Sequence, residues 1–210
     1  MTDGNAGRAL PLTIALDGNF LHLPASGIGT YLRGLLNALA EEADALGGRV
    51  RLLEPKPGRV LRPGGRAHRF LWDAGGITGG LLRSGRPRPA LLHLPQMSSP
   101  LWAPVPTVVT IHDVIPFVLD DYRASRAMGA YLALMARTAR RAERVIVPSE
   151  AAGRDVATVL GIPRERMRVI PEAASPDLVP DVEGTARARV QERWGLAGRY
   201  LFNIGGFDRR

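Results

Sequence analysis

Two side chains able to exchange protons stand together at His112 and Asp113, where the apolar run Thr107 to Ile111 ends. An imidazole can give or take a proton near neutral pH, and a neighbouring carboxylate can orient it or grip a hydroxyl. Val108, Val109 and Ile111 suit a strand buried on both faces, which reads as a continuous apolar run rather than an alternation. Ligands of open α/β sheets gather outside the carboxyl ends of the strands, so the pair would face a cleft. The plain alternative is structural: His112 closes a strand and Asp113 caps the turn that follows. Pro116 is expected to stop any simple continuation.

A second group is Gly27, Gly29 and Tyr31 in the run GIGTY. Glycines at the start of a helix let backbone NH groups approach a phosphate or hydroxyl closely. The alternative is a glycine turn with no ligand. This is not the dinucleotide fingerprint, because Leu32 replaces the third glycine and Gly27 lies ten residues past Asp17. Ser149 and Glu150 read either as a helix N-cap with a first-turn acid or as site residues, and Glu172 follows the end of another apolar run. Near the C-terminus, Gly205 and Gly206 follow an apolar run and precede Arg209 and Arg210. The four histidines, His22, His68, His93 and His112, show no ligand spacing, and cysteine is absent. No metal site is expected, which disfavours a metal phosphohydrolase built on His112 and Asp113. No GxSxG nucleophile elbow occurs.

Strands and helices that alternate along the chain must position these groups. Expected strands are 12–16, 49–54, 90–94, 107–112, 144–148 and 167–171. A helix opens at Gly27 and carries Tyr31, Leu32, Leu35, Leu36 and Leu39 at three-to-four-residue spacing. Pro55 to Gly65 reads as a loop, and a short helix is expected within Phe70–Leu82. Tyr122 to Arg144 has the composition of one long helix. A further helix runs from a Ser149 N-cap to Leu160, with Gly161 ending it. The order predicts an α/β fold: a Rossmann-like, mostly parallel sheet with helices on both faces. Residues 1–180 form the expected domain and 181–198 a linker with a short helix. Residues 199–210 would supply the first strand, over 199–204, and the glycine turn of a truncated second domain.

The bulk composition bounds the partners. A net charge of +8 invites nucleic acid, but the basic residues are all arginine except Lys56, dispersed and not interleaved with aromatics. Nucleic acid is therefore not expected. The densest basic cluster, Arg137, Arg140, Arg141 and Arg144, reads as a solvated helix face or as a contact with an anionic membrane. No signal peptide is expected at the start and no window is apolar enough to span a bilayer. The expected setting is the cytoplasm, with a peripheral contact at the inner membrane face.

GIGTYLRGLLNAL (27–39), TIHDVIP (110–116), VPSEAAGRDV (147–156), RVIPEAA (168–174) and YLFNIGGFDRR (200–210) together resemble family 4 glycosyltransferases of the two-domain GT-B fold. HDVIP followed by VPSE is similar to the branch that includes bacterial mannosyltransferases of polysaccharide assembly. The resemblance implies a retaining, metal-independent transfer of a hexose from a nucleotide diphosphate sugar to a glycan or lipid-linked acceptor. GDP-mannose is the first donor it suggests, and no cofactor is implied. It makes this chain the N-terminal, acceptor-side part. His112 would lie against the transferred sugar or acceptor hydroxyl, with Asp113 positioning it. Gly27, Gly29, Tyr31, Ser149, Glu150, Glu172, Gly205, Gly206, Arg209 and Arg210 would contribute to donor-phosphate or acceptor binding. The chain ends before the lysine and the acidic pair of the family pattern, so it is expected to be inactive alone. A non-catalytic acceptor-binding module and an NAD(P)-dependent oxidoreductase remain as alternatives.

Overall fold

A computed structural model of the chain describes residues 12–22, 26–45, 47–55, 66–98, 100–123, 125–175, 178–196 and 198–202. They divide into two compact units, the chain passing from the first to the second after Glu172.

The first unit is built on six parallel strands: β1 (Thr13–Asp17), β2 (Arg49–Leu53), β3 (Leu91–Leu94), β4 (Thr107–Thr110), β5 (Arg144–Val147) and β6 (Met167–Val169). They lie side by side in the order β2-β1-β3-β4-β5-β6, with Ala15 beside Leu92 and Val109 beside Val145. The chain steps from β1 outward to β2, then returns to the other side of β1 for β3. That reversal is the topological switch point, where α/β sheets open a crevice at their carboxyl ends.

Both faces of the sheet are covered, as the unbroken apolar strands require. Ala15, Leu92, Leu94, Val109 and Val145 join one cluster with Leu132, Met135 and Ala139 of α5 (Arg126–Arg141) and Val156 and Leu160 of α6 (Glu150–Leu160). Leu16, the next residue of β1, faces the other way and packs with Phe20 and with Leu32 of α1 (Gly27–Ala45). Adjacent residues of one strand thus serve opposite faces.

Several local expectations need correction. The segment expected to hold one short helix within Phe70–Leu82 is helical from Arg66 to Arg83: α2 (Arg66–Leu71), a π-helical turn (Trp72–Gly76) and α3 (Ile77–Arg83). Gly76 is required in that turn, since a Cβ there would lie 2.5 Å from the Trp72 ring. β4 ends at Thr110, short of the expected 112, and Pro116 sits beyond it in the first turn of α4 (Ile115–Val118), where its missing NH costs nothing. The long helix expected over 122–144 is divided into a 3-10 turn (Asp120–Arg123) and α5. Ser125 makes the division: extended, it accepts a hydrogen bond from the Met128 NH at 3.2 Å and starts α5 afresh. At the other end the Arg166 guanidinium donates to the Arg140 and Ala142 carbonyls left over by the last turn.

The second unit contains α7 (Thr185–Trp194), bracketed by Gly184 and Gly195 with φ of 71° and 67°. Asp181 accepts from the Arg187 NH at 3.0 Å and holds the start of the helix. Backbone NH groups around it keep its carboxyl below the ordinary range. The strand expected over 199–204 is not formed in its described part, 199–202. A single strand has no neighbouring edge to supply its ladder. Residues 203–210, and with them Gly205, Gly206, Arg209 and Arg210, lie outside the described residues.

Candidate functional site

The loops leaving the carboxyl ends of β3, β4 and β6 bring Pro95, His112 and Glu172 together. The His112 ring is tied at both nitrogens: Nδ1 lies 2.6 Å from Glu172 Oε1, and Nε2 lies 2.9 Å from the Pro95 carbonyl oxygen. A carbonyl can only accept, and an ionised carboxylate can only accept. Both contacts are satisfied when the ring carries two protons, or when the Nδ1 proton is shared with Glu172. The side chains of His112 and Glu172 are 20% and 46% exposed, so the Glu172 side of the ring is the side a ligand can reach.

Tyr31 of α1 also contacts the His112 ring. Its ring stands edge-on to His112, centroids 4.8 Å apart at 85°. The Tyr31 hydroxyl shares a hydrogen bond with Thr110 Oγ1 at 3.2 Å, and Thr110 Oγ1 lies 3.0 Å from His93 Nε2. Burial raises the Tyr31 phenol above its ordinary value, and the charge of Glu172 adds to this. Burial pulls the His93 ring down to about 4, so it is neutral at ordinary pH.

The other sequence candidates divide. Gly29 donates its NH to Ser26 Oγ at 2.9 Å, so the helix start is capped by Ser26. Nothing lies within 4 Å of where a Gly27 Cβ would stand. Asp113 accepts from the Ile115 NH at 3.0 Å, the capping role that its position also allowed. Ser149 accepts from the Ala152 NH at 3.1 Å, and Glu150 pairs with Arg164. Of the described candidates, His112, Glu172 and Tyr31 are the ones in direct mutual contact or linked through the same ring.

Sequence reasoning missed a buried polar network at the switch point. Asp17, the last residue of β1, accepts from Trp72 Nε1 at 2.8 Å and from the Asn19 NH at 3.1 Å, with Ser98 Oγ at 3.4 Å. Asp73, in the π-helical turn, accepts from the Tyr131 hydroxyl. Arg69 donates to Gln96 Oε1 at 3.2 Å, one residue beyond the Pro95 that holds His112. Burial raises the Asp17 carboxyl, and burial with the Asp17 charge lifts Asp73 to about 6. Burial and Asp73 together push the Tyr131 phenol upward. Asp17 closes β1; the other members come from five separate loops and helices, which no local pattern links.

Among the described residues no three His, Asp or Glu side chains gather as metal ligands would. No described helix is long and apolar enough to cross a membrane.

The sequence model of Glycosyltransferase Family 4 matches residues 25–178, well over half of the chain. The chain belongs to Glycosyltransferase Family 4. No protein of curated function matches it. Among solved structures it is similar to Anabaena Alr3699/HepE, determined in complex with UDP and glucose, at 15% identity and a TM-score of 0.52. The likeness covers 87% of this chain and 50% of that one, so the family 4 chain described here spans about half the length of that neighbour. At that identity the likeness shows the shared fold.

Proposed function

We propose that this family 4 chain is the acceptor-side part of a retaining glycosyltransferase. The sugar would pass from a nucleotide diphosphate sugar to a glycan or lipid-linked acceptor. The observation that carries the reading is the His112–Glu172 pair at the carboxyl edge of the sheet, within the segment that matches the family.

In this reading the bond from sugar C1 to the diphosphate oxygen breaks, and the acceptor oxygen bonds to C1 from the same face. The acceptor proton leaves with the released nucleoside diphosphate. His112 is held by Pro95 on its buried side and presents Nδ1 with Glu172 on its exposed side. An incoming hydroxyl takes the place of one partner of that contact: it accepts from His112 or donates to Glu172. Tyr31 fixes the plane of the ring. The open space at Gly27 leaves room for a hydroxyl or phosphate oxygen against the first turn of α1. No step is assigned to a metal, and mannose remains the first choice of sugar. In this family's pattern the donor side belongs to a second domain, and the reading gives these residues the acceptor side. Hydride transfer is not favoured, since the glycines of α1 do not make the dinucleotide pattern.

The test is release of nucleoside diphosphate by the protein from its complete reading frame, supplied with GDP-mannose and, separately, UDP-glucose. Acceptor-stimulated release from GDP-mannose is expected. Release from UDP-glucose alone would replace the mannose reading. Acceptor binding with no release from either donor would leave a binding module.

A further inference from the structure

β3 ends at Leu94, which pairs with Val109 of β4. The chain stays inside the molecule beyond it: Pro95 is buried, Gln96 is 3% exposed and Ser98 1%. A buried amide or hydroxyl is costly unless it finds a partner. Gln96 Oε1 accepts from the Arg69 guanidinium at 3.2 Å, and Ser98 Oγ donates to Asp17 Oδ2 at 3.4 Å. Gln96 Nε2 has no partner among the described residues, so the bond to Arg69 is what this amide secures.

Arg69 is itself held in place. Its guanidinium lies 4.8 Å from the centre of the Phe20 ring, and its charge acts on Asp17 and Asp73 in favour of their ionised forms. The segment after β3 is therefore anchored at alternate residues, Gln96 to α2 and Ser98 to the end of β1.

The anchor bears on His112 through one peptide plane. The Pro95 carbonyl and the Gln96 NH belong to the same rigid unit, and a proline ring locks its own φ at about −65°. With the Gln96 side chain tied down, that carbonyl has little freedom to swing. It accepts from His112 Nε2 at 2.9 Å. A carbonyl can only accept, so Nε2 must carry a proton, and such bonds weaken steeply as they bend. The proton able to move is then the one at Nδ1, 2.6 Å from Glu172 Oε1 and on the side a ligand reaches. A neutral imidazole can hold its single proton on either nitrogen; here the backbone makes the choice.

We propose that Gln96, held by Arg69, is a positioning residue for His112: it fixes the Pro95–Gln96 peptide plane, keeps the imidazole protonated at Nε2, and confines proton exchange to Nδ1. The consequence for transfer rests on the reading that His112 meets the transferred group, whereas the anchoring of the ring does not.

The test is the nitrogen NMR spectrum of the histidine rings in the protein from its complete reading frame, with the His112 signals identified by their loss in H112A. In the parent, Nε2 of His112 should report a bound proton throughout about pH 5 to 9, any change of protonation being confined to Nδ1. Q96M, of similar length but without the amide, should show a mixture of the two tautomers. Its kcat for sugar transfer should fall at least tenfold, with KM values within about twofold of the parent. S98A keeps the volume and frees the other tether, so it should show the same mixture to a smaller extent. It decides the question should Q96M fail to fold. S125A removes the cap of α5 rather than either tether and should leave the His112 signals unchanged. A folded Q96M with the parent's His112 spectrum would overturn the proposal, whatever its rate. So would an equal mixture in S125A, which would mean a general loosening. A mixed spectrum in Q96M with an unchanged kcat would uphold the anchoring and overturn the transfer role of His112.

Discussion

Two buried titratable groups act on stability in opposite directions. Asp73 is lifted from 3.8 to about 6 by burial, so its neutral form suits the fold. The stability it contributes is complete below pH 3.8 and is lost as pH rises through 6. His93 is lowered from 6.5 to about 4 by burial, and its neutral form is likewise the one accommodated. Its contribution is present above pH 6.5 and is lost as pH falls through 4. Each is worth about 3 kcal/mol at about 1.4 kcal/mol per unit. Between pH 4 and 6 the two nearly cancel. Urea unfolding at pH 4, 5, 6 and 7 should therefore separate two variants. D73N loses about 3 kcal/mol relative to the parent between pH 6 and 4, whereas H93Q gains about as much. Parallel profiles for parent and variants would contradict this assignment.

The start of α1 carries the next prediction. Gly27 has helical surroundings and open space where a Cβ would stand, so nothing within the described residues demands glycine. Gly27→Ala should stabilise the chain by about 0.5–1 kcal/mol, because alanine loses less backbone freedom on folding. If a phosphate or hydroxyl approaches that turn, the same change should raise KM at least tenfold. A rise in stability with unchanged KM would make the glycine a turn and nothing more. Elements of this kind were legible where local chemistry decides them. The apolar runs became parallel strands, and Ser149 and Gly161 ended α6 on both sides, with φ of 65° at Gly161. Boundaries set by competing local bonds were not legible: Ser125 inside a helix-forming composition gives no hint that its side chain will cap Met128. The π-helical turn depends on Trp72 reaching Asp17, 55 residues away, which no local pattern encodes. The site was half legible for the same reason. His112 could be placed at a strand end, but its pairing with Glu172, 60 residues on, exists only once β4 and β6 are arranged in the sheet.

At the scale of the molecule the basic excess has several uses. Arg140 and Arg166 satisfy carbonyls at helix ends, Arg164 pairs with Glu150, and Arg69 lies over the Phe20 ring. The exposed Arg137 and Arg141 of α5 lie at the amino end of β4, whereas His112 and Glu172 lie at the carboxyl edge. β4 is four residues long, about 13 Å at 3.3 Å per residue, so the two features occupy opposite ends of the sheet. The claim on which the functional account rests is that His112 handles the transferred group. The most direct measurement is kcat/KM for sugar transfer by the protein from its complete reading frame and by its H112A variant, with folding checked by thermal unfolding. The account predicts a fall of at least a hundredfold at a midpoint within a few degrees of the parent, about 2.7 kcal/mol of lost transition-state stabilisation. Transfer at the parent rate by a folded H112A would contradict it.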